Sequence, residues 1–153
     1  FDKPPQSNWF VFYHQDLTIS VQKKQAIAGY VNWTRKHDVI GVQPPVEVLE
    51  NILTCRIHLD DCDQANGGLR VLPESHQQGI LSSQEIEAIK RNTPSPIWCN
   101  AAEGDVLFMK PLLLHASSKN SSNRHRRVIH LEFATQPLNS NLLYREYLSY
   151  HLS

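Results

Sequence analysis

The sequence predicts a mainly β fold, a jelly roll carrying one or two short helices. Three observations predict it. Aromatic and β-branched residues fall in short runs separated by Gly, Pro, Asn and Asp. Leu53, Cys55, Ile57 and Leu59 alternate with Thr54, Arg56, His58 and Asp60, the period of an extended strand with one buried face. About eight such runs recur at the spacing of a sandwich or barrel.

The elements follow in order. Asn8–His14, Leu17–Val21 and Gly29–Trp33 read as strands. Pro44-Pro45 then breaks the chain, and Val46–Leu53 carries a short helical turn before the strand Ile52–His58. Asp60–Gly68 is dense in turn formers and connects to a strand at Leu69–Leu72. Ser82-Ser83-Gln84-Glu85 is a capping box, which starts a short helix with Ile86 and Ile89 on one face, ending near Asn92 and Pro94. Strands follow at Ile97–Cys99, at Asp105–Met109 after the turn Glu103-Gly104, and at Arg126–Ala134, the last preceded by the polar loop Ser117–His125. Leu142–Tyr150 is expected to form a terminal helix.

At 153 residues the chain fits a single domain with one core, residues 1–153. Lys plus Arg and Asp plus Glu both number 15, so no net field favours nucleic acid or an anionic membrane. The one basic cluster, Arg124 to Arg127, is short and lacks interleaved aromatics, which argues against nucleic acid. No apolar run is long enough for a membrane helix. A small-molecule partner remains the expectation, and nothing sets the oligomeric state. The three cysteines, Cys55, Cys62 and Cys99, show no CxxC spacing; they argue against a disulfide framework and suit a cytoplasmic setting. Asn32-Trp33-Thr34 and Asn120-Ser121-Ser122 match the glycosylation pattern without a signal peptide to support it. The chain begins at Phe1 and its only methionine is Met109, so an N-terminal portion is expected to be missing.

His14-Gln15-Asp16 carries the chemistry. Side chains two apart on a strand share a face, with origins roughly 6–7 Å apart, so His14 and Asp16 can converge on one ion. A distant histidine, His115, would complete a two-histidine, one-carboxylate face of the kind that holds non-haem Fe(II) with open positions. His58-Leu59-Asp60 has the same spacing, and geometry alone leaves both pairs open, although the aromatic strand around His14 makes the better pocket wall. Arg126 and Arg127 point to opposite faces of their strand. An apolar interior would take Arg127 inside with Ile129, Leu131 and Phe133; a polar one would take Arg126, Val128, His130 and Glu132. Among the other histidines, His76 is expected to order its loop by hydrogen bonding, His130 to line a pocket, and His37, His125 and His151 to lie on the surface. Trp9, Phe12, Trp33 and Trp98 are candidates for pocket walls, with core packing the commoner fate.

Tyr13-His14-Gln15-Asp16, His58-Leu59-Asp60-Asp61, the run Asn66-Gly67-Gly68-Leu69-Arg70-Val71-Leu72-Pro73-Glu74-Ser75-His76, Gly104-Asp105-Val106-Leu107 and His115-Ala116-Ser117 together resemble the phytanoyl-CoA dioxygenase family. The resemblance spans most of the chain and implies a double-stranded β-helix of the cupin-like kind. It matches His14, Asp16 and His115 to the iron ligands, placing Asp60 and Asp61 in the stretch before the Asn-Gly motif. It matches Ser117 and Arg126, two and eleven residues after the second histidine, to the groups that hold the distal carboxylate of 2-oxoglutarate, with Arg127 the alternative. The implied activity is Fe(II)-, 2-oxoglutarate- and O2-dependent hydroxylation of a small molecule with release of succinate and CO2. Asp16 favours hydroxylation over halogenation, because related halogenases lack this carboxylate. Two departures stand out: Glu74 replaces the family's usual glycine, and only thirteen residues precede His14. A barrel of this shape also serves metal-dependent isomerases and plain ligand-binding modules.

Overall fold

The computed structural model describes residues 1–93, 95–139 and 141–147. In chain order these form β1 (Asp2–Lys3), β2 (Val11–His14), β3 (Ile19–Val21), β4 (Val31–Lys36), β5 (Val39–Gln43), α1 (Val46–Glu50), β6 (Ile52–His58), β7 (Leu69–Val71), a 3-10 turn (Ser75–Gln78), α2 (Ser83–Asn92), β8 (Ile97–Trp98), β9 (Val106–Met109), β10 (His115–Ser117) and β11 (Arg126–Ala134). Two antiparallel four-stranded sheets, ordered β1-β11-β6-β9 and β2-β10-β7-β8, are joined by a three-stranded sheet β3-β5-β4. This is the mainly β, double-stranded β-helix that the sequence predicts, with two short helices.

Eleven strands appear among the described residues where about eight were expected. β1 and β10 are two and three residues long, too short to show a period, and β5 has Gly41 at its centre. A Cβ on Gly41 would lie 2.6 Å from Thr34 Oγ1 and 2.8 Å from Thr18 Cγ2, so close packing, not a turn, demands this glycine. The Ser82 capping box forms as expected, with Ser82 Oγ accepting from Glu85 N and Glu85 Oε2 accepting from Ser82 N. The expected terminal helix is not found over 141–147, where Tyr144 makes an antiparallel bridge to Val21; Leu148, Ser149 and Tyr150, like His151, lie outside the described residues.

The apolar core gathers at the three-stranded sheet. Ile19, Val21, Val42, Leu49, Ile52, Leu112, Leu138 and Leu142 pack there, with Trp33 partly buried against them. Burying each such side chain stabilises the fold by roughly 1.5–3 kcal/mol. The space between the two four-stranded sheets is different, because polar groups line it. On β6 the polar residues Thr54 (0% exposed), Arg56 (6%) and His58 (1%) are buried, as are Ile52 (3%) and Cys55 (7%), while Leu53 and Ile57 are half-buried and Leu59, just past the strand, is 40% exposed. The alternation is as read in the sequence, with buried Cys55 the exception, but its sense is reversed: the polar members face inward. β11 follows the same rule: Val128, the partner of His58, is buried, as is Arg126 before the paired stretch, while Ile129, Leu131 and Phe133 are exposed.

The loop from Asp61 to Gly68 is held by Asn66, whose Nδ2 donates to Asp61 O at 2.6 Å and whose Oδ1 accepts from Asp63 N. Gly67 has a φ of +77°, and a Cβ there would meet Ser118 O at 2.5 Å. The Asn-Gly motif is therefore a backbone device that seats the loop beside the end of β10. Glu74 sits at a left-handed φ of +64°, the conformation a glycine takes without strain. Ser75, not His76, orders the following turn. Its hydroxyl donates to Leu72 O and accepts from Leu114 N, whereas His76 Nδ1 is buried without a partner.

Candidate functional site

Register on the second sheet brings two distant histidines together. β2 and β10 are antiparallel neighbours, and His14 and His115 are direct partners across them, so their rings stand 4.2 Å apart. Asp16 follows on the same face as His14. Gln15 between them points the other way and bolts the strand down, donating to Gly79 O and Leu112 O at 2.8 Å and accepting from Leu81 N.

The ligand atoms are pre-oriented. His14 Nδ1 bonds Phe12 O at 2.9 Å and His115 Nδ1 bonds Leu113 O at 2.8 Å. A carbonyl can only accept, so each Nδ1 carries the proton and each Nε2 presents its lone pair to the site, as a metal-binding imidazole must. The Nε2 atoms lie 3.6 and 3.5 Å from the two Asp16 oxygens, and all the ligand atoms of the trio fall within 4.8 Å of one another. Asp16 Oδ2 is buried and makes no hydrogen bond, which leaves it an acceptor for a cation. This donor set fits a divalent metal of the Fe(II) type.

The two imidazoles differ in their electrostatics. Burial pushes the His115 imidazole down to about 4, so it is neutral at physiological pH. The Asp16 carboxylate beside it raises His14, favouring a second ring proton that a bound cation would displace. Burial works against the charge on Asp16, but His14 and His115 outweigh it and hold the carboxyl below its usual range. The second cluster of potential ligands, Asp16, His130 and Glu132, shares the same carboxylate. His58 and Asp60 do not converge: His58 is buried against Asp105 O, while Asp60 accepts three hydrogen bonds from Arg127 on the outer surface. Those bonds hold Asp60 down to about 2.

The trio opens into a cavity of about 370 Å³ between the two large sheets, with walls that include Val11, Leu69, Arg56, Ser117 and Arg126, and with Trp9 and His130 at its sides. Arg126 is 4% exposed, and its Nε has no partner; Arg127 lies on the opposite face. Ser117 Oγ accepts from Lys3 Nζ at 3.0 Å, which leaves its own proton to donate. Of the other aromatics considered, Phe12 is 77% exposed and Trp98 stands 5.5 Å from the Arg70 guanidinium. Asn120, in the second glycosylation-like triplet, is buried and donates to three backbone carbonyls.

Arg56 in the cavity wall and Lys3, buried behind that wall, were missed in the sequence. Lys3 is fully buried and also donates to Ser118 O at 2.6 Å; burial, aided by Arg126, lowers it to about 8. Arg56 donates to His130 Nδ1 at 2.8 Å and keeps a buried Nε without a partner. A charged residue recurring among the apolar ones of β6 was the available signal for Arg56. For Lys3, on a two-residue strand, there was none. Among the described residues no helix is long and apolar enough to cross a membrane.

Known proteins share these features. A stretch of 93 residues is 31% identical to the methylphosphonate hydroxylase of Gimesia maris, covering 59% of this chain and 36% of that protein. The solved structure of EvdMO1 superposes with a TM-score of 0.62 at 23% identity, over 88% of this chain and 25% of that one. EctD from S. alaskensis, solved with bound Fe and with 2-oxoglutarate and 5-hydroxyectoine, superposes at 0.60 with 17% identity, over 87% of this chain and 41% of its own. The structural likenesses show the fold, and the chain spans well under half the length of each of these relatives. The family model of phytanoyl-CoA dioxygenase matches residues 2–128, most of the sequence and every residue of the trio, and the chain belongs to that family.

Proposed function

We propose that this chain carries the catalytic centre of an Fe(II)- and 2-oxoglutarate-dependent oxygenase that hydroxylates a small molecule. The observation that carries this reading is the trio His14, Asp16 and His115, with both imidazoles fixed by backbone carbonyls, sharing a cavity with Ser117 and Arg126. Bound there, iron with 2-oxoglutarate and O2 would supply the oxidising chemistry, converting the keto acid to succinate and CO2 and adding one oxygen atom to a substrate carbon.

The residues supply position and exclusion of water. His14, Asp16 and His115 would occupy one face of the metal and leave the other positions open. Arg126 would take the distal carboxylate of 2-oxoglutarate through a paired, charge-assisted contact, and the Ser117 hydroxyl, already accepting from Lys3, would donate its proton to the same carboxylate. Val11, Leu69 and Ala116 form the dry part of the wall. The relative from Gimesia maris makes a small phosphonate one candidate substrate. A single domain and a cytoplasmic setting belong to this reading, and the unpaired thiols of Cys55, Cys62 and Cys99 support the latter.

Anaerobic addition of Fe(II) and 2-oxoglutarate tests it. A weak visible charge-transfer band is expected, together with substrate-stimulated succinate release once air is admitted. Asp16→Ala should lose both. A chain that binds iron yet gives no band with 2-oxoglutarate would instead be a ligand-binding or isomerase barrel.

A further inference from the structure

The cavity holds more positive charge than the proposed chemistry uses. Arg56 and Arg126 line it, and Lys3, buried behind the wall, bonds the lining residue Ser117; each is at most 6% exposed. The acidic groups facing this cluster are Asp16 and Glu132. Loading the cavity with a divalent metal and a dicarboxylate adds no net charge, so at least one buried cation stays uncompensated. A buried cation without an anion is costly, and such a group persists where a ligand supplies the missing charge.

Position identifies which cation is left over. On β11, Arg126 and His130 are four residues apart, roughly 13 Å along a strand. Arg126, Ser117 and Lys3 cluster at one end, since Lys3 is the direct partner of Arg126 and bonds Ser117. Arg56 is the direct partner of His130 at the other end, and His130 lies within reach of Asp16. Arg56 is thus at the metal end, away from the proposed seat of the distal carboxylate.

Its neighbours hold it ready. The guanidinium donates to His130 Nδ1, which therefore accepts, and the ring's Nε2 lies 3.7 Å from Glu132 Oε1. The Phe1 ring stands 5.7 Å from the guanidinium carbon and meets His130 edge-on at 5.3 Å. No carboxylate pairs with Arg56 among the described residues, and its Nε is buried and free of hydrogen bonds.

We infer that Arg56, positioned by His130, is the anchor for an oxyanion on the primary substrate, a carboxylate or phosphonate carried on a short aliphatic stem, which it holds beside the metal. This rests on the oxygenase reading above, and it deepens that reading by naming the substrate's chemical class. The anchor fixes one end of the substrate so that a carbon a few bonds away faces the open metal positions.

The test uses the full chain with Ni(II), which binds like iron without turning over, and with 2-oxoglutarate. Ethylphosphonate and propionate are titrated calorimetrically, with propionamide as the neutral control. At least one anion is expected to bind and to raise the melting temperature, whereas propionamide does neither. Arg56→Met should weaken that anion on the order of 30-fold or more while the Fe(II) and 2-oxoglutarate band titrates as in the parent; Arg56→Lys should retain part of the affinity. The phosphonate and carboxylate arms tell which oxyanion the site takes. Three results overturn the proposal: the band forms but neither anion binds or stabilises the parent chain; propionamide binds equally well; or Arg56→Met weakens 2-oxoglutarate instead of the probe. Should no band form while anion binding still depends on Arg56 in the chain without co-substrate, the oxygenase reading fails and the anion site stands.

Discussion

The two faces of the paired strands β6 and β11 differ in a way that simple amphipathic patterning does not anticipate. The inner face presents Thr54, Arg56, His58, Arg126 and His130, while the outer face presents Leu53, Ile57, Ile129, Leu131 and Phe133. Phe133 is 53% exposed, and Arg126, seven residues earlier on the same strand, is 4% exposed. The lesson is that period two reports two unlike faces without saying which is inside. A sheet that closes over a ligand cavity can bury its polar side, provided that an apolar core elsewhere stabilises the fold. Here that core lies at the three-stranded sheet, around Leu49, Val42, Leu112 and Leu142.

The sharpest way to break this comparison uses neighbours in sequence. Arg126→Leu should lower 2-oxoglutarate affinity by about 2–5 kcal/mol, roughly 30-fold or more, as read from the Fe(II) charge-transfer band. Arg127→Leu, one residue away on the outer face, should change it less than about twofold, because only the exposed Asp60 pair is lost. Equal effects would mean that the faces are misassigned.

A smaller effect concerns the cost of the charged interior. Lys3 is lowered from 10.5 to about 8 by burial and by Arg126. Below pH 8 it is protonated both folded and unfolded, and the burial penalty is fully present. As pH rises from about 8 to 10.5 the folded chain sheds this proton first, so the unfolded state binds more protons and stability increases. The gain should be on the order of 2 kcal/mol in urea unfolding, and Lys3→Met should flatten that part of the profile.

Packing differs by face as well. Val128→Ala, at 2% exposure, should destabilise by about 2 kcal/mol, and Ile129→Ala, at 42%, by less than about 1, although the second removes more atoms. The smallest change is expected at Thr54, whose buried hydroxyl has no partner. Thr54→Val keeps the shape and removes an unsatisfied group, so its midpoint of unfolding should stay level or rise by about 1 kcal/mol. A clear loss of stability would show that the hydroxyl is bonded after all.

Much of this was legible in the chain. The strands Ile52–His58 and Arg126–Ala134 appear at the bounds read from alternation, and the Ser82 capping box starts its helix as expected, because these signals are local. Spacing put His14 and Asp16 on a common side but left His58 and Asp60 as a second candidate pair; the family resemblance chose between them and matched His115 to the third place. The short strands β1 and β10 left no trace, since their existence depends on pairing partners more than a hundred residues away for Lys3 and His14.

By itself the sequence determined the elements whose causes are near neighbours: strand periods, turns, caps, and the pairing of His14 with Asp16 on a common side. Tertiary structure decided which side became the interior, that Arg126 rather than Arg127 reached the cavity, that Arg56 joined it, and that Lys3 was buried beside them. The physical reason is that alternation is symmetric under exchange of faces. Only the closing of one sheet over the other, with register bringing His14 opposite His115, breaks that symmetry.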